Sequence, residues 1–199
     1  MRTSRANQAL WLVAVGLLIG DSAWPGTIQG RIYRPGTALD LSDFVISVED
    51  IRGPFPAPGK TAVIDQKELR FVRHVLAIQA GTTLEFPNSD PVGHNVFSIS
   101  EVKHFNLGLY GRGAKRSLKL DQSGVVELLC NVHLGMSAFI VVLENPYFAQ
   151  TGPDGTYRIS GVPAGVHLLR CWHKRFPAQE RLVRVTETGT VTVDFSFGK

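Results

Sequence analysis

Short apolar segments separated by glycine and proline run through almost the whole chain after residue 25. These segments are rich in β-branched and aromatic residues; examples are residues 27–33, 44–48, 82–86, 116–120 and 138–143. The 199 residues include 20 glycines and 11 prolines, which mark turns between the segments. No segment shows a sustained helical period. This pattern predicts an all-β chain built as a sandwich or barrel.

The first 23 residues have the pattern of a secretory signal peptide. Arg2 and Arg5 precede an apolar run over residues 9–20, and the small residues Ser22 and Ala23 follow it. The run is shorter than the ~20 residues that a membrane span needs. We therefore expect cleavage, no membrane span in the mature chain and a periplasmic or secreted location. An uncleaved anchor or a buried segment is the alternative.

Charge and cysteine content exclude several classes of protein. The net charge is +4, and no long basic run is interleaved with aromatic residues, so the sequence has no nucleic-acid-binding signature. Cys130 and Cys171 are the only cysteines, which excludes a disulfide-rich scaffold and a four-cysteine zinc site.

Residues 101–115 are glycine-rich and are predicted to be an irregular excursion beside the sheet. They do not follow a strand and open a helix, so we expect no phosphate loop there.

The densest chemical signal is the sequence Cys130-Asn131-Val132-His133-Leu134-Gly135-Met136. Its cysteine, histidine and methionine are spaced three residues apart, between two predicted strands. In the preceding strand Val126, Leu128 and Cys130 have the same parity, so the thiol should point inward. A thiolate, an imidazole and a thioether form a soft ligand set that suits copper better than zinc. His94, at the start of a predicted strand, is the best candidate for the second histidine of a trigonal site.

At these positions the chain resembles the cupredoxins, the blue copper proteins. The resemblance covers residues 60–144 and includes Gly93-His94-Asn95-Val96 and the Cys-x-x-His-x-x-Met spacing. It implies a Greek-key β-sandwich with one type-1 copper, held by His94, Cys130 and His133 in a plane and by Met136 axially. It further implies that Asn95 hydrogen-bonds across to the cysteine loop. His133 would lie nearest the surface, in an apolar patch that docks redox partners. The arrangement also resembles bacterial proteins labelled methylamine-utilisation proteins.

The flanking residues predict a second module. Asp154-Gly155-Thr156-Tyr157-Arg158-Ile159 and Val162-Pro163-Ala164-Gly165 resemble the carboxypeptidase-regulatory-like, transthyretin-like β-sandwich. Residues 26–32 resemble the first strand of that family. We therefore divide the chain into a signal peptide (1–23), N-terminal strands (24–56), a cupredoxin domain (57–144) and a regulatory-like sandwich (145–199). The cupredoxin unit is either inserted into the second sandwich or placed before a separate domain.

Three functions and one competing use of the cysteine follow from these residues. The first function is a periplasmic, non-enzymatic copper protein that carries single electrons between envelope partners. The second is a carrier of Cu(I) or an interaction module with no electron-transfer role. The third is a zinc or copper enzyme in which Met136 is not a ligand and a coordination position is open. A Cys130–Cys171 disulfide, which export would permit, would remove the thiolate from any of these sites.

Overall fold

A computed structural model describes residues 25–35 and 40–198, and this part of the chain is all-β, as predicted, with eighteen strands and no helix. The predicted signal peptide lies outside the described residues. Within the described ranges no helix is long and apolar enough to cross a bilayer. The strands are β1 (Gly26–Tyr33), β2 (Val45–Val48), β3 (Ala62–Val63), β4 (Asp65–Lys67), β5 (Arg70–Val72), β6 (Val75–Gln79), β7 (Thr82–Pro87), β8 (His94–Ser100), β9 (Lys103–Tyr110), β10 (Lys115–Leu120), β11 (Gly124–Leu129), β12 (Ser137–Leu143), β13 (Phe148–Gln150), β14 (Thr156–Val162), β15 (Gly165–His173), β16 (Phe176–Val185), β17 (Thr190–Thr192) and β18 (Phe195–Ser196).

Strands β3 to β12 form a sandwich around one hydrophobic core. One sheet has the order β6-β12-β11-β8-β9, the other has the order β10-β7-β3, and β4 and β5 form a separate hairpin. The inward parity of the strand before the cysteine is as predicted, because Val126, Leu128 and Cys130 are buried and belong to this core. Leu84 and Phe86 of β7 close the same core from the opposite sheet.

The structure corrects the expectation of an irregular segment over residues 101–115. Most of that segment is β9, which pairs antiparallel with β8 and reaches from Lys103, opposite Ser100, to Tyr110, opposite His94. Phe105 and Leu107 are half-buried against the core, whereas His104 and Asn106 are exposed. The alternation was therefore present in the sequence, but the glycine at position 108, with φ 74°, hid it.

The strands on either side of this unit pair with one another in a second sandwich. β1 lies between β14, antiparallel, and β17, parallel, and β18 also pairs with it. The other sheet has the order β13-β2-β15-β16. Residues from both ends of the chain share its core; they include Ile28, Ile32, Phe44, Ile46, Tyr157, Leu169, Cys171 and Phe195.

A small third cluster joins the two sandwiches. Val45 of the second sandwich is buried with Val75 and Val141 of the first, and Phe139 and Trp172 pack around them. Asn145 closes the junction, since its Nδ2 donates to the carbonyl of Val48 at 2.7 Å. The two sandwiches therefore pack directly against each other.

Candidate metal centre

The loop between β11 and β12 is folded tightly by its own backbone. Cys130 N–H donates to the carbonyl of Met136 at 3.2 Å, and Met136 N–H donates to the carbonyl of His133 at 3.4 Å. Gly135 adopts φ 87°, a left-handed conformation that favours glycine. These bonds turn the chain back on itself, so His133 lies beside the end of the cysteine strand.

A second loop, between β7 and β8, delivers His94. Asn88 organises this loop from within: its Nδ2 donates to the carbonyls of Val92 (2.9 Å) and Tyr110 (3.0 Å). Its Oδ1 accepts a hydrogen bond from the backbone N–H of Asp90 at 2.9 Å. Asn88 is itself 1% exposed. The backbone just before His94 is therefore braced by a buried amide side chain.

His94, Cys130 and His133 meet at one point. Their donor atoms all lie within 4.8 Å of one another. His94 Nδ1 is 3.0 Å from His133 Nδ1 and 4.0 Å from Cys130 Sγ. Metal–nitrogen bonds of ~2.0–2.1 Å allow two nitrogens on one ion to lie about 3–4 Å apart. The three donors therefore fit a single metal ion, and two imidazoles with one thiolate form the trigonal set that is diagnostic of blue copper.

Met136 lies in the same core as Cys130 and is 3% exposed. Its thioether is a weak zinc ligand but a soft donor that would suit copper. The structure thus places all four predicted residues at one end of the sandwich, with a direct three-donor cluster formed by the two histidines and the cysteine. The axial role of Met136 stays a prediction.

Asp90 is the residue that the sequence analysis missed. Its Oδ2 lies 2.7 Å from His94 Nε2, in a contact where His94 is fully buried. Burial alone would raise the pKa of Asp90, but hydrogen bonds from Leu69 N–H, His94 and Glu68 N–H outweigh it and hold the pKa below its usual value. A carboxylate on the second ring nitrogen orients a ligating histidine and selects its tautomer. The available signal was an acidic residue four positions before His94.

Asn95 does not make the predicted hydrogen bond to the cysteine loop. Its Nδ2 donates instead to Asn106 Oδ1 at 3.0 Å, on the neighbouring strand β9. Its buried Oδ1 has no hydrogen-bond partner among the described residues. The register of β8 against β9 shifts between Asn95 and Phe97, and this irregularity brings Asn106 within reach of Asn95.

The two cysteines are free and lie in different cores. Cys130 belongs to the core of the first sandwich, whereas Cys171 is fully buried in the second. Burial raises the pKa of the Cys171 thiol to about 12. The structure therefore gives no support to a Cys130–Cys171 disulfide, and the Cys130 thiol faces His94.

The surface above the cluster is apolar. We define the site-end surface as Val92, Leu109, Val132 and Leu134, all of them exposed hydrophobic residues. Val132 and Leu134 flank His133, and a Cβ on Gly93 would lie 3.2 Å from Leu109 Cδ1, which places Leu109 beside the His94 loop. His133 is half-buried, whereas His94 and Cys130 are buried. His133 is thus the most exposed member of the cluster.

Comparison with known proteins gives the same assignment for the first sandwich. Residues 59–143, less than half of the chain, match the family of copper-binding proteins described as the plastocyanin/azurin family. A search of curated proteins found no match.

Similar solved structures include two amicyanin mutants and a cupredoxin. An oxidised amicyanin mutant is 21% identical, with 41% of this chain and 81% of that chain covered and a TM-score of 0.39. A reduced Cu(I) form of another amicyanin mutant at pH 4 is 22% identical, with 49% and 97% covered and a TM-score of 0.39. A purple cupredoxin from Nitrosopumilus maritimus is 24% identical, with 41% and 98% covered and a TM-score of 0.38. The match to the copper-binding family and the His94–Cys130–His133 cluster together support a cupredoxin-type domain with one copper ion over residues 59–143.

Proposed function

We propose that this protein is a type-1 copper protein that carries single electrons between larger redox partners. The observation that carries the proposal is the cluster of His94, Cys130 and His133, whose donor atoms lie within 4.8 Å of one another and are held by two hydrogen-bonded loops. Copper, when bound there, would supply a one-electron couple. Since the protein itself holds the donors in place, little rearrangement would accompany a change of oxidation state.

Burial of the donors favours electron transfer over catalysis. His94 is 0% exposed, Cys130 7% and Met136 3%, so a substrate would have no open approach through these three residues. A ligand set completed by side chains leaves no coordination position for chemistry. Electron transfer needs only that a partner comes close to the metal site, whereas a substrate must bind to the metal. Half-buried His133 allows a partner to come close.

We further propose that the partner docks on the site-end surface. Four exposed hydrophobic residues grouped around a metal-binding loop are typical of a surface that binds a partner. Arg116 is exposed, and its guanidinium lies 5.1 Å from the centre of the ring of Tyr110, the residue that follows Leu109. The complementary partner would be an envelope protein with an apolar patch bordered by carboxylates.

We also propose that residues 1–23 act as a signal peptide, which would export the chain to the periplasm or secrete it.

A Cu(I) carrier is the second candidate. The thiol of Cys130 and the buried thioether of Met136 are soft donors that would also hold Cu(I). The two functions differ in what happens to the metal. A carrier hands copper to an acceptor protein, whereas an electron carrier keeps copper and cycles its oxidation state.

Copper loading followed by spectroscopy and voltammetry tests the proposal. The purified protein with one equivalent of Cu(II) should show an intense visible charge-transfer band and a reversible one-electron wave. Cys130→Ser should abolish the band, because the thiolate is its source. Cys171→Ala is the matched control and should keep it. Uptake of Cu(II) with no such band would refute a type-1 site, and a fast transfer of Cu(I) to a metal-free acceptor without redox cycling would favour the carrier.

A further inference from the structure

We propose that Asp90 and the turn at Glu68–Leu69 form one positioning unit that orients His94 for copper. The inference rests on the copper site of the proposed function and adds residues to it that lie outside the ligand set. Three observations carry it: the conformation of the turn, the division of the Asp90 oxygens, and the bonds that join the hairpin to the His94 loop.

The turn between β4 and β5 has a conformation that its residues do not favour. Lys67 pairs with Arg70, so Glu68 and Leu69 are the two central residues of a two-residue hairpin. Their φ angles are 55° and 58°. Two consecutive positive φ values define a turn for which asparagine and glycine are strongly preferred. A glutamate and a leucine therefore need an outside contact to hold this turn.

The Asp90 carboxylate supplies that contact and binds His94 at the same time. Its Oδ1 accepts the N–H of Glu68 at 2.5 Å, and its Oδ2 accepts the N–H of Leu69 at 2.9 Å. The same Oδ2 lies 2.7 Å from His94 Nε2. Asp90 is 5% exposed, so water does not compete freely for these oxygens. One carboxylate thus joins the strained turn to the histidine.

Backbone and side-chain bonds make the hairpin and the His94 loop a single body. Ser89 N–H donates to the carbonyl of Gln66 at 2.9 Å, and Gln66 Nε2 donates to the carbonyl of Pro87 at 3.1 Å. Asp90 is therefore fixed from its own loop and from the hairpin. With Nε2 donating to Asp90, the lone pair of His94 lies on Nδ1, which faces Cys130 and His133.

The chemistry of aspartate and asparagine gives the test. Both oxygens of an aspartate accept hydrogen bonds, whereas an asparagine has one accepting oxygen and one donating NH₂ group. In Asp90→Asn, either the turn or His94 therefore faces a donor instead of an acceptor. Copper affinity, measured by competition with a chelator, should fall about 10- to 100-fold, as expected for loss of an outer-shell partner.

Replacing the turn separates the two roles of Asp90. In Glu68→Asn/Leu69→Gly the new residues favour the turn conformation themselves, so the turn no longer needs its hydrogen bonds to Asp90. Copper affinity should therefore stay within about threefold of the wild type. Asp90→Asn in that background can give its oxygen to His94, and the loss should shrink to about threefold or less. Asp90→Ala in the same background keeps the turn but removes the His94 partner, and the loss should return to about tenfold or more. Asp121→Asn, which removes an exposed carboxylate of the same sandwich that pairs with Lys119, should change affinity less than about twofold.

A measurement on the metal-free protein keeps this proposal separate from the proposed function. NMR of the His94 ring should show an Nε2–H proton whose exchange with water is slowed by its hydrogen bond to Asp90, and Asp90→Ala with the replaced turn should exchange it faster. Failure of the wild type to bind copper would refute the proposed function alone, since the exchange of the His94 Nε2–H proton is still observable. Unchanged affinity and unchanged exchange of the Nε2–H proton in the Asp90 variants would overturn the positioning role. An equal affinity loss from Asp90→Asn in both turn backgrounds would overturn the sharing of the carboxylate.

Discussion

At the scale of single residues, the two buried cysteines show how environment decides chemistry. Cys130 directly follows strand β11, and its sulfur faces an imidazole nitrogen 4.0 Å away. Cys171 is fully buried among apolar side chains of the second core, and burial raises its pKa to about 12. A thiol whose charged form is penalised by burial is a poor nucleophile and a poor metal ligand. Cys171 therefore acts as a small apolar core residue, and its protonation affects stability.

The raised pKa of Cys171 predicts a loss of stability in alkali. The unfolded thiol loses its proton near its ordinary pKa of 9.0, whereas the folded thiol keeps it up to about pH 12. Between these values the unfolded state binds fewer protons, so the free energy of unfolding falls as pH rises. The slope attributable to Cys171 is at most about 1.4 kcal/mol per pH unit. Urea unfolding at pH 8 and pH 10.5 should show this fall in the wild type.

The variant Cys171→Ala isolates that contribution from other alkaline groups. Burial also raises the pKa of Tyr110 to about 12, and the pKa of Tyr157 is raised as well, so some alkaline destabilisation is common to both proteins. Cys171→Ala should be less stable at pH 8, because it leaves a small cavity, yet lose less stability on going to pH 10.5. Equal losses in the two proteins would contradict the assignment to Cys171.

The site could be predicted from sequence only where residue type and spacing carry the chemistry. The three-residue spacing of Cys130, His133 and Met136 and the strand start at His94 predicted residues that the fold does bring together. The role of Asp90 depends on a turn in a different hairpin, and no local pattern contains that relation. The predicted partner of Asn95 was wrong because an irregularity in β8–β9 pairing redirects its side chain.

At the scale of elements, strand β11 depends on a glycine at its first position. Gly124 adopts φ 138°, and a Cβ there would lie 2.5 Å from Val102 Cγ2 in the turn between β8 and β9. The close approach lets the β8–β9 turn pack over the start of the strand that leads to Cys130. Strand β9 itself escaped prediction, whereas β7, β10 and β12 were predicted to within about one residue, because their alternation is not interrupted by glycine.

Gly124→Ala should therefore destabilise the protein by about 2–3 kcal/mol. The estimate combines the cost of a left-handed conformation for alanine with the cost of overpacking against Val102. Urea unfolding of the metal-free protein measures it. Gly111→Ala is the matched control, since nothing lies within 4 Å of a Cβ at that position and its φ is not positive, and it should change stability by less than about 0.5 kcal/mol.

A double-mutant cycle with Val102→Ala separates the clash from the backbone strain. Removing the Val102 methyl groups makes room for the new Cβ but leaves φ at Gly124 unchanged. The double variant should therefore be more stable than the sum of the two single changes predicts, by about 1 kcal/mol. Simple additivity would show that the clash with Val102 is absorbed elsewhere and that only backbone strain remains.

At the scale of the whole molecule, the second sandwich is assembled from both ends of the chain. Strand β1 is bonded on one side to β14 and on the other to β17, and β2 lies between β13 and β15. Its core includes Ile28, Ile32, Phe44 and Ile46 from the N-terminal strands. Residues 145–199 alone lack these side chains, and a segment of this length buries too little apolar surface without them to be more than marginally stable.

The two ends of the intervening segment lie close together. Asn145 Nδ2 donates to the carbonyls of Val48 (2.7 Å) and Ile51 (3.2 Å), and the backbone N–H of Val48 donates to the carbonyl of Tyr147. The chain thus leaves the second sandwich near Ile51 and returns to it at Asn145. A short flexible linker could span that gap, because loop closure over a few residues costs little.

We therefore predict that residues 24–56, joined to 145–199 by a short glycine-serine linker, fold without the first sandwich. The joined chain should show cooperative thermal unfolding and dispersed NMR signals, whereas residues 145–199 alone should show neither. Removing the first sandwich exposes Val45 and Trp172 of the third cluster. The joined chain should therefore be less stable than the second sandwich is in the full protein. A folded 145–199 segment would mean that the N-terminal strands are dispensable. An unfolded joined chain would mean that the second sandwich needs the first as a packing partner. The protein would then unfold as one cooperative unit rather than as two.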